Sequence, residues 1–475
     1  MIALALGEIA GIVGGTLTGA DPAAVVTGTV EFDSRQVGPG GLFLALAGER
    51  VDGHDFTARA VAAGAVASIV TRPVDGPSIL VADGFAALAA LATAVLRRLP
   101  DLTVVGVTGS SGKTSTKDVL AQLLARLGPT VAPPGSFNNE LGHPYTVLRA
   151  TTETRYLVLE NSARGIGHIR YLTQIAPPRI GVVLNVGSAH LGEFGSREAI
   201  AQAKGELVEA LPADGVAVLN ADDRLVAAMA ERTTARIVTV GLGRAADVRA
   251  ADVTLDDLGR ASFRLLAGGA DEPVSLRLVG EHHVGNTLAA AAVALELGMA
   301  PAEVAAALSE ATPVSRWRME LTERADGVLV INDAYNANPE SMRAALKTLA
   351  SVGRGRAGRS FAVLGPMAEL GDDAREEHDA LGRLAVRLDI ARVVAVGDAA
   401  RPIQHGAALE GSWNGEASWV PDVDAAIAVL REELRPGDVV LVKASRAASL
   451  ERVALAVADD AGGAGHGGTD GGGGA

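Results

Sequence analysis

The segment Thr108-Gly109-Ser110-Ser111-Gly112-Lys113-Thr114 constrains this chain more than any other feature. It follows the run Thr103-Val104-Val105-Gly106-Val107, which reads as a buried strand, and precedes a helical pattern from Lys113 to about Leu127. Gly109 and Gly112 let the backbone wrap closely around phosphate oxygens. The helix N-terminus adds unpaired N–H groups and the positive end of its dipole. Lys113 can neutralise β- and γ-phosphates, and the Thr114 hydroxyl can be offered to Mg²⁺. An ordinary Walker loop needs glycine where Val107 stands, so this is a variant of that pattern. A chance glycine turn explains the order strand, loop, Lys-Thr, helix less well than a nucleotide-binding loop does.

Around this loop the chain alternates strand and helix, which implies parallel βαβ units and an α/β fold. Further apolar strands are expected at 156–159, 180–185 and 216–219, then at 328–331, 361–364, 393–396 and 439–442. A chain of 475 residues is too long for one core, and about three domains are expected. The pattern divides it into residues 1–100, 101–312 and 313–460, followed by a Gly-rich tail, 461–475, expected to be disordered. Ala86 to Leu99 reads as a helix ended by Pro100.

A formal charge of −14 argues against nucleic-acid or anionic-membrane partners, which select basic patches. Anionic substrates must then be held by local charges, metal ions or backbone amides. Without cysteine there is no disulfide, thiolate nucleophile or zinc–thiolate site. The apolar start carries Glu8 and no basic flank, so it reads poorly as a signal peptide, and no apolar run is long enough to span a membrane. A soluble, cytoplasmic protein without membrane insertion is expected, working as a monomer. A guanine-binding Asn-Lys-x-Asp run is absent, which excludes an ordinary GTPase, and a small-molecule kinase would not need three domains.

Only five of the 42 basic residues are lysine, at positions 113, 117, 204, 347 and 443. Where arginine serves so widely, a retained lysine suggests chemistry that a guanidinium cannot perform, although on a helix the plainer reading is a solvated charge. Lys204 is one such position, and CO₂ could convert it to a carbamate that ligates metal as a carboxylate does. Glu160 follows the strand 156–159 at its carboxyl end, where parallel sheets bind ligands, and can complete a Mg²⁺ site. Taken alone it would more often be a cap or surface charge. His190 projects at the same edge after the strand 180–185, although a lone histidine is more often structural.

These residues together resemble the Mur ligase family, most closely its MurF type, the ligases that add D-alanyl-D-alanine. The similarity runs from Leu6 to about Val457. It implies three domains: an N-terminal uridine-nucleotide domain, a central P-loop ATPase-like parallel sheet, and a C-terminal Rossmann-like domain. By the resemblance, ATP binds at Gly109, Ser110, Ser111, Gly112, Lys113 and Thr114, with Asn286 of His282-x-x-x-Asn286, with Arg318 of Arg318-Met319-Glu320, and with Asp333 of Asp333-Ala334-Tyr335-Asn336-Ala337-Asn338-Pro339. Lys113, Glu160, His190 and Lys204 are implied as catalytic. Mg²⁺, two ions of it, would be held by Thr114, Glu160, His190 and carbamylated Lys204.

The substrates implied are UDP-N-acetylmuramoyl-tripeptide and D-alanyl-D-alanine. Asp33-Ser34-Arg35, Asn138-Asn139, Asn336, Asn338 and Lys443-Ala444-Ser445-Arg446 match positions that contact substrate. The reaction implied is ATP-dependent amide formation through an acyl phosphate, giving the UDP-linked pentapeptide of peptidoglycan synthesis. The chain departs from the family pattern at Asn161-Ser162 (usually Met-Gly), at Pro366 (often Asp) and at Ala444 (often Gly). Two alternatives stay open at this point: another amide ligase of the superfamily, such as a folylpolyglutamate synthase or a different Mur step, and an inactive nucleotide-binding scaffold. The Asp-Asn-Pro-Arg motif of the diaminopimelate-adding relatives is absent.

Overall fold

Thr103–Thr108 forms the expected strand and is flanked in parallel by Tyr156–Glu160 on one side and Ile180–Val183 on the other. In this computed structural model residues 1–48, 51–189, 191–411 and 415–460 are described; His190 and the tail 461–475 lie outside the described residues. The sheet continues in parallel through Val216–Asn220, Arg236–Gly241 and Val248–Leu255, then ends in the antiparallel strands Arg260–Ala267 and Ala270–Val279. Because its first strands run parallel, Thr108, Glu160 and the segment after Val183 emerge at one edge, and the site is built there.

Both faces of that sheet are covered, as near-continuous apolar strands require. On one face the helices Lys113–Leu124 and His283–Glu296 pack against Val105, Val107 and Val182 through Leu120, Leu123 and Leu288. On the other, Arg197–Glu209 sets Ala203 and Leu207 against Val183 and Ala217. Each fully buried leucine contributes about 1.5–3 kcal/mol, so these contacts hold the helix that follows the glycine loop and the helix carrying Lys204 on opposite faces of one sheet.

An N-terminal sheet runs in the order Thr16–Thr18, Ser78–Leu80, Ala65–Val70, Gly41–Leu44, Val30–Glu31. Its helix Gly84–Leu96 begins two residues before the expected start because Asp83 caps the backbone N–H groups of Phe85 and Ala86. Leu88 and Leu91 of this helix share an apolar cluster with Leu157 and Leu159, joining the two sheets through a common core.

The third sheet runs Glu320–Glu323, Leu329–Asn332, Val439–Lys443, Ser360–Leu364, Arg392–Val396, Ala417–Val420, with only its first pair antiparallel. The three sheets and the parallel pairing agree with the expected three-domain α/β class. The helix at 113 stops at Leu124, a turn before the expected Leu127. The strands Arg236–Gly241 and Val248–Leu255 and the two outer antiparallel strands of the central sheet were not foreseen.

Candidate active site

At the edge where Thr108 and Glu160 emerge lies a cleft of about 680 Å³, with lining from the central and third units. Its floor is the glycine loop. Ser110 N–H donates to Asn185 O at 3.1 Å and Ser111 N–H to Asn185 Oδ1 at 2.9 Å, while Asn185 Nδ2 donates back to Ser111 O at 3.1 Å. Asn185 therefore braces the loop from the neighbouring strand, a role that sequence reading missed. Its place just past a strand's carboxyl end was the available signal.

Gly112 has φ +83°, and a Cβ there would meet Asn286 Oδ1 at 2.4 Å. The loop thus needs glycine for conformation and for close approach of Asn286. Gly112→Ala is expected to raise the KM for ATP at least about tenfold through both effects while the protein stays folded. ATP titration and thermal melting check this; an unchanged KM contradicts it.

Lys113 Nζ donates to Gly109 O at 2.7 Å. Desolvation pulls its pKa below the usual value, opposed by the Glu160 carboxylate. Glu160 is buried and holds three donors: Thr114 Oγ1 at 3.0 Å from Oε2, and Ser136 Oγ at 3.1 Å and Asn138 Nδ2 at 2.7 Å from Oε1. Ser162 Oγ lies 3.0 Å from Asn138 Oδ1, which turns the amide's NH₂ toward Glu160. The departure at 162 thus supports the carboxylate rather than disturbing it. Asn139 Oδ1 caps Gly142 N–H at 2.9 Å and also lines the cleft.

The Thr114 hydroxyl and Glu160 carboxylate converge as hard oxygen donors. That donor set fits Mg²⁺, which takes one or two protein oxygens and completes its shell with phosphate and water. Among the described residues no group of three His, Asp or Glu side chains forms a cage of its own. Lys204 is 3% exposed, and its pKa is lowered well below the usual lysine value, chiefly by burial and then by the charge of Lys113. Lys204 is not part of the cleft lining.

The third unit closes the other wall. Arg318 stacks on Tyr335, 4.3 Å from the ring centre, and donates to Thr114 Oγ1 at 3.3 Å. Asp333 accepts from Met319 N–H at 3.1 Å and from Lys443 Nζ at 2.6 Å; Lys443 also donates to Asn336 O at 2.8 Å. Asn338 Nδ2 reaches Ser110 O at 3.3 Å, and Glu340 accepts from Ser188 N–H at 2.9 Å and from its hydroxyl at 3.0 Å. Glu340 and Ser188 are a contact across the cleft that no local pattern announced.

Other expected substrate residues lie apart. Ser445 Oγ accepts from Ala368 N–H at 2.9 Å, and Arg446 stacks over Trp317 and pairs with Glu451; neither lines the cleft. Asp33 and Arg35 pair with each other in the N-terminal unit, Arg35 holding the Asp33 carboxyl down to about 2, and Ser34 beside them is buried. These three are also outside the cleft lining. At the departure from glycine, the Ala444 Cβ lies 2.6 Å from where Gly365 would carry its own, so the two positions are matched in size.

The cleft therefore joins a glycine loop at a helix N-terminus, a hydroxyl–carboxylate pair of hard oxygen donors and, on the opposite wall, side chains of the third unit that include Arg318 and Lys443. Profiles described as a Mur ligase middle domain, a Mur ligase glutamate ligase domain and a Mur ligase family catalytic domain match residues 107–294, 317–446 and 28–104. A UDP-N-acetylmuramoyl-tripeptide–D-alanyl-D-alanine ligase of Mycobacterium tuberculosis is 57% identical across 97% of this chain and 99% of its own. The crystal structure of MurF from Acinetobacter baumannii superposes with a TM-score of 0.85 at 33% identity, covering 96% of this chain and 99% of that one. MurF from Thermotoga maritima in complex with ADP gives 0.79 at 32% identity, covering 92% and 98%.

Proposed function

The chain belongs to the Mur ligase family, and from that premise we propose that it joins D-alanyl-D-alanine to UDP-N-acetylmuramoyl-tripeptide with hydrolysis of ATP to ADP and phosphate. The observation that carries this reading is end-to-end likeness to ligases of that name, at 57% identity, in a chain whose cleft has a phosphate loop at its floor.

In the first step an oxygen of the tripeptide's terminal carboxylate attacks the γ-phosphorus of ATP, the bond to the β-phosphate oxygen breaks, and ADP leaves. The amine of D-alanyl-D-alanine then attacks the acyl carbon, and the tetrahedral adduct collapses to an amide as phosphate departs and the amine loses a proton. Bringing a carboxylate up to a triphosphate opposes like charges. Lys113 and the loop N–H groups offset that repulsion at the phosphates, and Arg318 adds a second cation from the opposite wall. Asn185 fixes the loop's backbone through Ser110 and Ser111, and the third unit shields the acyl phosphate from water.

Mg²⁺ would be held by Thr114 and Glu160, and a second ion by His190 and carbamylated Lys204; bound there, it would supply charge neutralisation on the phosphate oxygens. Asn286 and Asp333 are assigned to the nucleotide. Asn138, Asn139, Asn336, Asn338, Lys443, Ser445 and Arg446 are assigned to the peptide and amine substrates, and Asp33, Ser34 and Arg35 to the uridine nucleotide. We divide the chain at residues 100 and 312. We place the enzyme in the cytoplasm as a monomer without nucleic-acid partners; its net charge of −14 supports the last of these, and no helix of the described residues is long and apolar enough to cross a membrane.

An amine screen tests the assignment. With ATP, Mg²⁺ and UDP-N-acetylmuramoyl-tripeptide, mass spectrometry is expected to detect the amide product with D-alanyl-D-alanine and not with single D- or L-amino acids. Product with a single amino acid would move the chain to a different ligation step.

A further inference from the structure

Lys117 is a retained lysine that the reaction does not use, and it is 2% exposed. Its Nζ donates to Pro133 O at 2.9 Å and pairs with Asp118, its neighbour on the helix Lys113–Leu124. Asp118 turns its other carboxylate oxygen to Ser315 N–H at 3.1 Å. Ser315 belongs to the linker between the helix Pro301–Glu310 and the first strand of the third sheet. The contact does not stand alone. Positions 114, 118, 122 and 126 fall four residues apart and share one side of the helix and its C-terminal extension.

Each of them meets the linker region in antiparallel order. Thr114 accepts from Arg318 at 3.3 Å and Asp118 from Ser315. Gln122 exchanges two hydrogen bonds of 3.0 Å with the backbone N–H and C=O of Thr312, and Arg126 pairs with Glu310. The helix that begins at the phosphate loop therefore carries a ladder of polar contacts that fixes the register of the chain entering the third unit.

We propose that this ladder, centred on the buried Lys117–Asp118 pair, positions the third unit over the nucleotide. Asp118 is the positioning residue, and Lys117 holds its carboxylate in place. A shift of one rung would carry Arg318 away from Thr114, and Asp333 and Asn338 from the loop. Lys117 also grips the carbonyl of Pro133, three residues before Ser136, so the same ion pair ties the segment that supports Glu160 to the linker. This inference rests on the ligase reading above, in which the third unit must close for reaction.

The test uses Lys117→Met/Asp118→Leu in the full chain. Replacing a buried ion pair with apolar side chains of similar volume keeps stability while removing the acceptor for Ser315 N–H. The expected result is a melting temperature near that of wild type and a kcat lowered about a hundredfold, the effect of an ångström-scale misplacement of reacting groups. The KM for UDP-N-acetylmuramoyl-tripeptide should rise by far less than kcat falls, because its uridine end is assigned to Asp33, Ser34 and Arg35 in the N-terminal unit, outside the ladder. X-ray scattering with a non-hydrolysable ATP analogue and tripeptide should give a larger radius of gyration than wild type.

Should the double variant fail to fold, Gln122→Ala cuts the Thr312 rung without disturbing the ion pair, and kcat is expected to fall about tenfold with a smaller change in that KM. A folded variant with wild-type kcat, or one in which kcat and tripeptide KM worsen by the same factor, overturns the proposal. Wild-type enzyme assayed in parallel reports on the ligase reading itself. If it does not ligate, that reading fails, while scattering on the ATP analogue complex still decides whether the ladder sets the third unit's position.

Discussion

Lys204→Arg is expected to lower ligation by about a thousandfold, the scale seen when a preorganised charge is removed from a transition state. The substitution keeps a basic side chain of similar length, so packing is nearly conserved. What it removes is chemistry. A neutral lysine amine can add its lone pair to CO₂ and, on losing a proton, becomes an anionic carbamate with two oxygen donors. A guanidinium stays protonated and cannot.

The structure favours that conversion at Lys204. Burial on the helix Arg197–Glu209, reinforced by the charge of Lys113, pulls its pKa well below the usual value and enlarges the unprotonated share at neutral pH. Bicarbonate should restore activity to wild-type enzyme depleted of CO₂ and should do nothing for the arginine variant. Near wild-type turnover by a folded Lys204→Arg protein contradicts the assignment.

Lys113→Met is expected to reduce turnover by about a thousandfold or more, comparable with removing a cation that stabilises a transferring phosphoryl group. Methionine preserves the aliphatic stem and removes the ammonium. With Lys113 absent, the unpaired N–H groups at the start of the helix Lys113–Leu124 remain, so ATP binding should weaken less than turnover falls. Single-turnover kinetics separate the two effects. A variant that loses ATP affinity and kcat by the same factor would reduce Lys113 to ground-state binding. One that keeps wild-type kcat would remove it from the mechanism.

Much of this was readable from residues close in sequence. The glycine spacing at 109 and 112 announces a phosphate loop because it needs both a backbone that bends and a helix start immediately after. Glu160 was recoverable because a strand of uniform burial puts its last side chain at the sheet's carboxyl edge. The strands Arg236–Gly241, Val248–Leu255, Arg260–Ala267 and Ala270–Val279 were missed because their burial is partial or alternates and no crossover helix separates one from the next.

Contacts between units were also hidden. Arg318 lies 204 positions from Thr114, and Glu340 lies 152 from Ser188, and no periodicity links residues so far apart. Resemblance supplied Asp33, Ser34 and Arg35 as binding residues, and they are not among the residues lining the cleft. Asn185 shows a different gap: its position was visible, but its two-way bond with Ser111 depends on how the strands are ordered in the sheet.

The central claim is that ligation passes through a phosphorylated carboxylate, and heavy-oxygen transfer tests it most directly. UDP-N-acetylmuramoyl-tripeptide labelled with heavy oxygen at its terminal carboxylate is incubated with ATP, Mg²⁺ and D-alanyl-D-alanine, and the released phosphate is weighed by mass spectrometry. The account predicts that phosphate release requires both substrates and that one labelled oxygen moves from peptide to each phosphate released. Unlabelled phosphate accompanying amide formation would contradict it, since the carboxylate oxygen would then never have been bonded to phosphorus.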